Sequence, residues 1–286
     1  MIAGAGFALA RWLNVSATAL THVVFYTLLP CFAFRLLIST VATGRQFGTM
    51  VLLAVVVMVA MAAVGMVMSL ALRLSRRDAS AFLLVVMFSN GGNYGLPVVS
   101  FAFGEEALSY GTVFFLTGSI LTNTVGAFLA AAGRRSPRTA LASVLKIPAI
   151  YGIAAALIVL ATGANVPTPI LRPITMLSDA ALPLMILVLG MQLERAQRPT
   201  RPALVAAAVC VSLLVAPLVA LGLTSLLNVS GPARQAVVVL SSMPVAVLTT
   251  VLALEFDASP EFVTSAVFLS TILSPLTLTP LIAYLR

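Results

Sequence analysis

Apolar residues run along this chain in long uninterrupted blocks, with the charges gathered into short stretches between them. Charge-free runs cover residues 12–34, 46–72, 79–104, 107–133, 147–171, 202–233, 235–254 and 262–285, and a ninth, 173–193, is broken only by Asp179. A helix crossing a bilayer needs about 20 consecutive apolar residues, so this pattern predicts nine spans. Residues 1–13 predict a tenth. At about 1.5 Å per residue that helix reaches only about 20 Å, against a hydrocarbon core of about 30 Å. The first helix is therefore expected to be cut short, or to start upstream of Met1.

Two predicted spans carry an interruption mid-way. One is Ser89-Asn90-Gly91-Gly92-Asn93-Tyr94-Gly95-Leu96-Pro97 and the other is Ser241-Ser242-Met243-Pro244. Backbone unwinds at membrane depth only where protein buries it or where it lines a cavity. The chain divides near Gly133–Thr139 into halves 1–133 and 139–286 that echo each other in order. Pro30 and Pro183 are 153 residues apart, as are Phe115-Leu116-Thr117 and Phe268-Leu269-Ser270, while Pro97 and Pro244 differ by 147. Five helices per half is an odd number, so the second copy inserts upside down. Paired interruptions in inverted halves mark the substrate site of secondary transporters.

Composition agrees. Of 286 residues 61% are hydrophobic and 8% charged, where a soluble domain would be about one quarter charged. The net charge of +8 is almost wholly arginine, with Lys146 the single lysine. With ten helices, one side collects eleven basic residues (Arg11, Arg73, Arg76, Arg77, Arg134, Arg135, Arg138, Lys146, Arg195, Arg198, Arg201) and the other five (Arg35, Arg45, Arg172, Arg234, Arg286). That bias makes the first side cytoplasmic and places both termini, the C-terminus included, outside. It explains the basicity without nucleic acid. Cys31 and Cys210 lie inside apolar runs without metal-ligand spacing, and read as small buried hydrophobes. The N-terminus lacks the charged leader of a cleavable signal peptide.

The chemistry follows from the interruptions. If second half-helices start near Leu96–Pro97 and Pro244–Val245, their N-termini meet at the midplane, each carrying about half a positive charge on unpaired N–H groups. Two such ends without a fixed acid between them suit a carboxylate. Gly91, Gly92 and Gly95 supply open backbone, and Asn90, Asn93, Tyr94, Ser241 and Ser242 complete the candidate binding set with Pro97 and Pro244. Asp179 is the acid set inside an apolar run, a candidate for proton coupling if buried and protonated, or the partner of a nearby group such as Arg172. Tyr26 is its counterpart in the first half and a candidate lining residue. His22 titrates in the neutral range or serves structurally, and Asn123 bonds between helices or lines the site. Glu105, Glu106, Asp257 and Glu261 read as solvated helix ends, and Glu194 as a surface partner of Arg195.

The segment Asn90-Gly91-Gly92-Asn93-Tyr94-Gly95-Leu96-Pro97 resembles the helix 4 signature of the auxin efflux carrier family. The resemblance extends to Phe25-Tyr26-Thr27-Leu28-Leu29-Pro30, to Ala181-Leu182-Pro183 with Leu189-Gly190-Met191-Gln192-Leu193, to Met243-Pro244-Val245-Ala246, and to Leu269-Ser270-Thr271-Ile272-Leu273-Ser274-Pro275. It thus covers nearly the whole chain and matches the compact bacterial branch, because the long central loop of plant members is absent. The resemblance implies an all-α membrane protein of about ten helices, a 5+5 inverted repeat with crossed broken helices 4 and 9, as in sodium–proton antiporters and bile-acid symporters. Pro30 and Pro183 then become candidate lining residues. It implies a permease moving a small organic anion across the inner membrane, with protons as the candidate coupling ion, the lipid bilayer as surroundings and a homodimer as a further candidate. No cofactor or metal is expected. The alternatives are a sodium-coupled bile-acid-type symporter and a membrane ligand sensor. An intramembrane protease would need a second acid beside Asp179, or a base beside a serine, so an enzyme is not expected.

Overall fold

The computed structural model describes residues 1–39, 44–130, 148–194 and 201–286. The dividing point near Gly133–Thr139 and the basic residues Arg134, Arg135, Arg138, Lys146, Arg195 and Arg198 lie outside that set. Every described element is helical except one short pairing of extended backbone. The helices are α1 (Ile2–Leu13), α2 (Ala17–Ser39), α3 (Gly44–Ala71), α4 (Arg76–Met87), α5 (91–103), α6 (105–130), α7 (Ala149–Thr162), α8 (Thr168–Gln192), α9 (Pro202–Leu226), α10 (Gly231–Ser241), α11 (Val247–Glu255) and α12 (Pro260–Leu285).

Among the described residues, six helical stretches are long and apolar enough to cross a membrane. The longest, Gly91–Ala130, has 40 residues, roughly twice what a bilayer needs. Gly104 divides it into α5 and α6 by adopting φ 80° and ψ −169°, a conformation closed to residues with a Cβ. Large apolar side chains such as Phe101, Met176, Leu226 and Leu276 stand exposed on the outside, as a lipid-facing surface requires. Cys210 is also exposed and Cys31 half-buried, so the reading of both as buried is corrected. Nor does residues 147–171 form one span. Gly163 caps α7 in the left-handed conformation, and Pro167 precedes the next helix.

Proline shapes three of the helices in one manner. Turns of the wider π type occupy Val24–Leu28, Gly91–Gly95 and Val211–Val215, each ending two residues before Pro30, Pro97 and Pro217. Proline offers no N–H and its ring collides with the carbonyl four residues back, so the preceding turn opens.

Two cores form. In the smaller, α2 packs on α7 and α8, and α1 lies along α8. The larger joins α3, α4, α9, α10, α11 and α12 with the α5–α6 pair. At one end of this second group, Asp78 in the first turn of α4 accepts from Arg201 (2.7 Å), from Ser259 ahead of α12 (2.8 Å) and from Ser75 (2.9 Å). Arg77 pairs with Asp257 beside it. Burial alone would raise the Asp78 carboxyl, but the bonds from Ser259, Ser75 and Arg201, with Arg201's charge, outweigh it and hold the group below its ordinary range. A depressed folded-state value stabilises above the unfolded carboxylate range near 3.9 and loses that contribution as pH falls through it. The thermal midpoint should therefore drop as pH is lowered from about 5 to about 3. Asp78→Asn should lower the midpoint at pH 7 and flatten that acid slope, as read by thermal unfolding in detergent.

Candidate functional site

The two interruptions meet. Residues 88–90 and 243–246 lie antiparallel, with Ser89 opposite Val245. The Ala246 N–H donates to Phe88 O (2.9 Å) and the Asn90 N–H to Pro244 O (2.6 Å). Flanking side chains complete the pairing: Ser89 Oγ donates to Leu240 O (2.8 Å), and Ser270 Oγ accepts from the Val245 N–H (3.1 Å). Each broken backbone thus finds its hydrogen bonds in the other, which is how irregular chain is tolerated at this depth.

The half-helices begin elsewhere than at the prolines. α5 starts at Gly91, five residues before Leu96, because the π turn ahead of Pro97 belongs to the helix. α11 starts at Val247, three residues after Pro244, because residues 243–246 are spent on the pairing. Neither N-terminus is capped by a side chain: Asn90 and Ala246 hold the cap positions, and neither gives a side-chain bond. Part of each first turn is met by backbone just ahead of it: the Gly91 N–H donates to Ser89 O (2.8 Å) and the Thr249 N–H to Ala246 O (3.1 Å), and a helix start has four such N–H groups to satisfy. The glycines act through size. A Cβ at Gly92 would stand 2.9 Å from the Phe115 ring, and one at Gly95 would run into Leu240. Both have ordinary negative φ, so they are there for close packing rather than for unusual backbone.

A cavity of about 780 Å³ adjoins the pairing. Asn90, Gly91, Gly92, Asn93 and Ser241 of the candidate set line it, with Tyr26 and Asn123. Much of the remaining wall is apolar, including Met58, Met61, Phe114, Phe115 and Met185. Among the described residues no Asp, Glu, Lys or Arg lines it. Asn90 is 6% exposed, and its Nδ2 is buried without a hydrogen-bond partner. Gln192, which sequence reasoning left unassigned, also lines the cavity, with Oε1 unpartnered. Its position at the end of an apolar run holds no signal of this.

Other candidates sit apart. Tyr94 turns its hydroxyl to Ser274 of α12 (3.2 Å), and Ser242 Oγ bonds back to Val238 O (2.6 Å). Pro97, Pro244, Pro30 and Pro183 shape backbone and do not line the cavity. Asn123, though on the cavity wall, donates its Nδ2 to Ser119 O of its own helix (2.9 Å). Glu194 pairs with Arg11 (3.3 Å), across α1 and α8, where Arg195 had been expected. Asp179 is corrected in two respects. Its side chain is 61% exposed rather than buried in the protein, and its partner is Arg35 of α2 at 3.2 Å rather than Arg172.

A match to the membrane transport protein family runs over residues 1–282. The chain belongs to that family, the auxin efflux carriers. Two relatives from this group are similar over nearly their whole length. An uncharacterized transporter of Methanocaldococcus jannaschii is 27% identical over 266 residues, covering 90% of this chain and 86% of the relative. One from Methanothermobacter thermautotrophicus is 31% identical over 267 residues, covering 90% and 85%. A family of membrane transporters accounts for both the exposed apolar surface and the unwound backbone beneath it.

Proposed function

We propose that this auxin efflux carrier family protein is a secondary transporter that moves a small organic anion, a carboxylate, across the inner membrane by alternating access. The observation carrying this reading is the junction itself. Two uncapped helix N-termini and the unpartnered Asn90 amide adjoin a cavity whose described lining carries no charged side chain. Among the described residues the partial positive charge there meets no acidic side chain, and a bound anion would supply the negative charge.

The order of elements supports the ten-helix inverted repeat. A short helix (α1, α7), a proline-bearing long helix (α2, α8), a second long helix (α3, α9), a broken pair (α4–α5, α10–α11) and a final helix (α6, α12) follow each other twice. On the sequence's charge bias, the start of α2, the ends of α8 and α11 and the start of α12 face the cytoplasm. His22, Gln192, Leu254 and Thr264 line the cavity near those ends, so we read this as the inward-facing arrangement.

The test is a thermal-shift panel on the full chain with malonate, malate, benzoate and phenylacetate, followed by flux in liposomes. A binding anion raises apparent stability, by about 2.7 kcal/mol at one hundred times its Kd. At least one compound should shift the midpoint and move across the membrane. Absence of any shift or flux across a broad panel of anions would overturn the reading.

A further inference from the structure

We infer that His22 is the proton-binding group of the cavity, and that its protonation governs anion binding and couples transport to a proton; this rests on the anion reading above. Asp179, exposed and held by Arg35, is poorly placed for that part. His22 stands in the second turn of α2, exposed on the cavity wall. Its ring meets the edge of Tyr26 at 5.8 Å between centroids.

The charges around His22 are accounted for by element. On α2 itself, Tyr26 is the titratable neighbour one turn on, and Arg35 lies far along the helix, paired. On α8, which packs against this part of α2, Glu194 is held by Arg11 of α1 and Asp179 by Arg35. The described walls from α3, α4, α5, α6, α9, α10, α11 and α12 contribute no charged side chain. Among the described residues, an imidazolium at His22 would therefore be the one formal positive charge on that lining.

Histidine changes charge between pH 5 and 8. Anion and proton then favour each other by reciprocity: a bound carboxylate draws a proton from solvent onto the free imidazole nitrogen, and that proton tightens carboxylate binding. Anion and proton enter together and leave together. The apolar remainder of the cavity makes an uncompensated anion costly, which favours this neutral pairing.

The experiment uses the full purified chain, the carboxylates of the panel and benzenesulfonate, whose own charge does not change over the range. Apparent affinity is read by thermal shift from pH 8.5 to 5.5. It should tighten about tenfold towards pH 5.5, the effect of one elementary charge acting at roughly 10 Å through an effective dielectric near 20. His22→Gln should hold affinity at the weaker, high-pH level throughout. His22→Arg should hold it at the tighter level throughout. A wild type whose affinity ignores pH, or a His22→Gln variant that keeps the full slope, overturns the inference and leaves the anion reading standing. If no compound binds at any pH, the anion reading fails first and the role of His22 falls with it.

Discussion

Asn90→Asp should reduce anion flux in liposomes by at least about a hundredfold without loss of fold. The replacement keeps the shape of the side chain and the backbone N–H that donates to Pro244 O. It adds one negative charge at the cap of α5. Two like charges about 4 Å apart cost about 4 kcal/mol at an effective dielectric near 20, enough for roughly three orders of magnitude. Asn90→Ala should be milder, losing about ten- to a hundredfold, the worth of one hydrogen bond to a charged partner. Stability distinguishes this from a purely structural asparagine. Because Asn90 Nδ2 is buried and unpartnered, Asn90→Ala relieves an unmet donor and should leave the thermal midpoint unchanged or slightly raised. If Asn90 instead stitched the junction together, Asn90→Ala would lower the midpoint and flux in step, and the proposed site would lose its principal side chain.

Much of this architecture could be read before any coordinates. Blocks of apolar residues located α2, α3, α6, α8, α9 and α12, and the Asn-Gly-Gly-Asn and Ser-Ser-Met-Pro interruptions marked where backbone would unwind. Hydropathy succeeds here because every spanning segment must satisfy its own backbone and face lipid. What escaped has physical causes. The half-helix starts were displaced because the proline at 97 widens the turn before it, while the proline at 244 sits in the extended pairing. The sequence offers Asp179 the partner Arg172, two turns away on one helix, yet Arg35 reaches it from α2. Apolar runs carry no information on how one helix is rotated against its neighbour. Gln192 and His22 escaped as cavity residues for that reason too: single polar residues in apolar helices look alike until the facing helices are placed.

Gly190→Ala and Gly152→Ala should each destabilise the protein by at least about 3 kcal/mol, the upper end of what overpacking costs. A Cβ at Gly190 would overlap the Ala3 carbonyl oxygen, one at Gly6 the Leu187 carbonyl oxygen, and one at Gly152 the Pro30 carbonyl oxygen. The obstacle in each case is backbone, which cannot swing aside as a side chain tip would. The two contacts between α1 and α8 and the one between α7 and α2 are therefore places where helices touch main chain to main chain. In lipid such contact replaces the hydrophobic drive that water supplies to soluble bundles, and small residues are what permit it. Gly4 in α1 and Gly222 in α9 have nothing within 4 Å of an added Cβ. Gly4→Ala and Gly222→Ala should thus be neutral or stabilise by up to about 1 kcal/mol, through helix propensity alone. Thermal midpoints of the four variants in one detergent make the comparison. Equal effects at Gly190 and Gly4 would mean that α1 does not lie along α8 as the structure has it. A large loss at Gly190 and Gly152 alone identifies a rigid unit of α1, α2, α7 and α8.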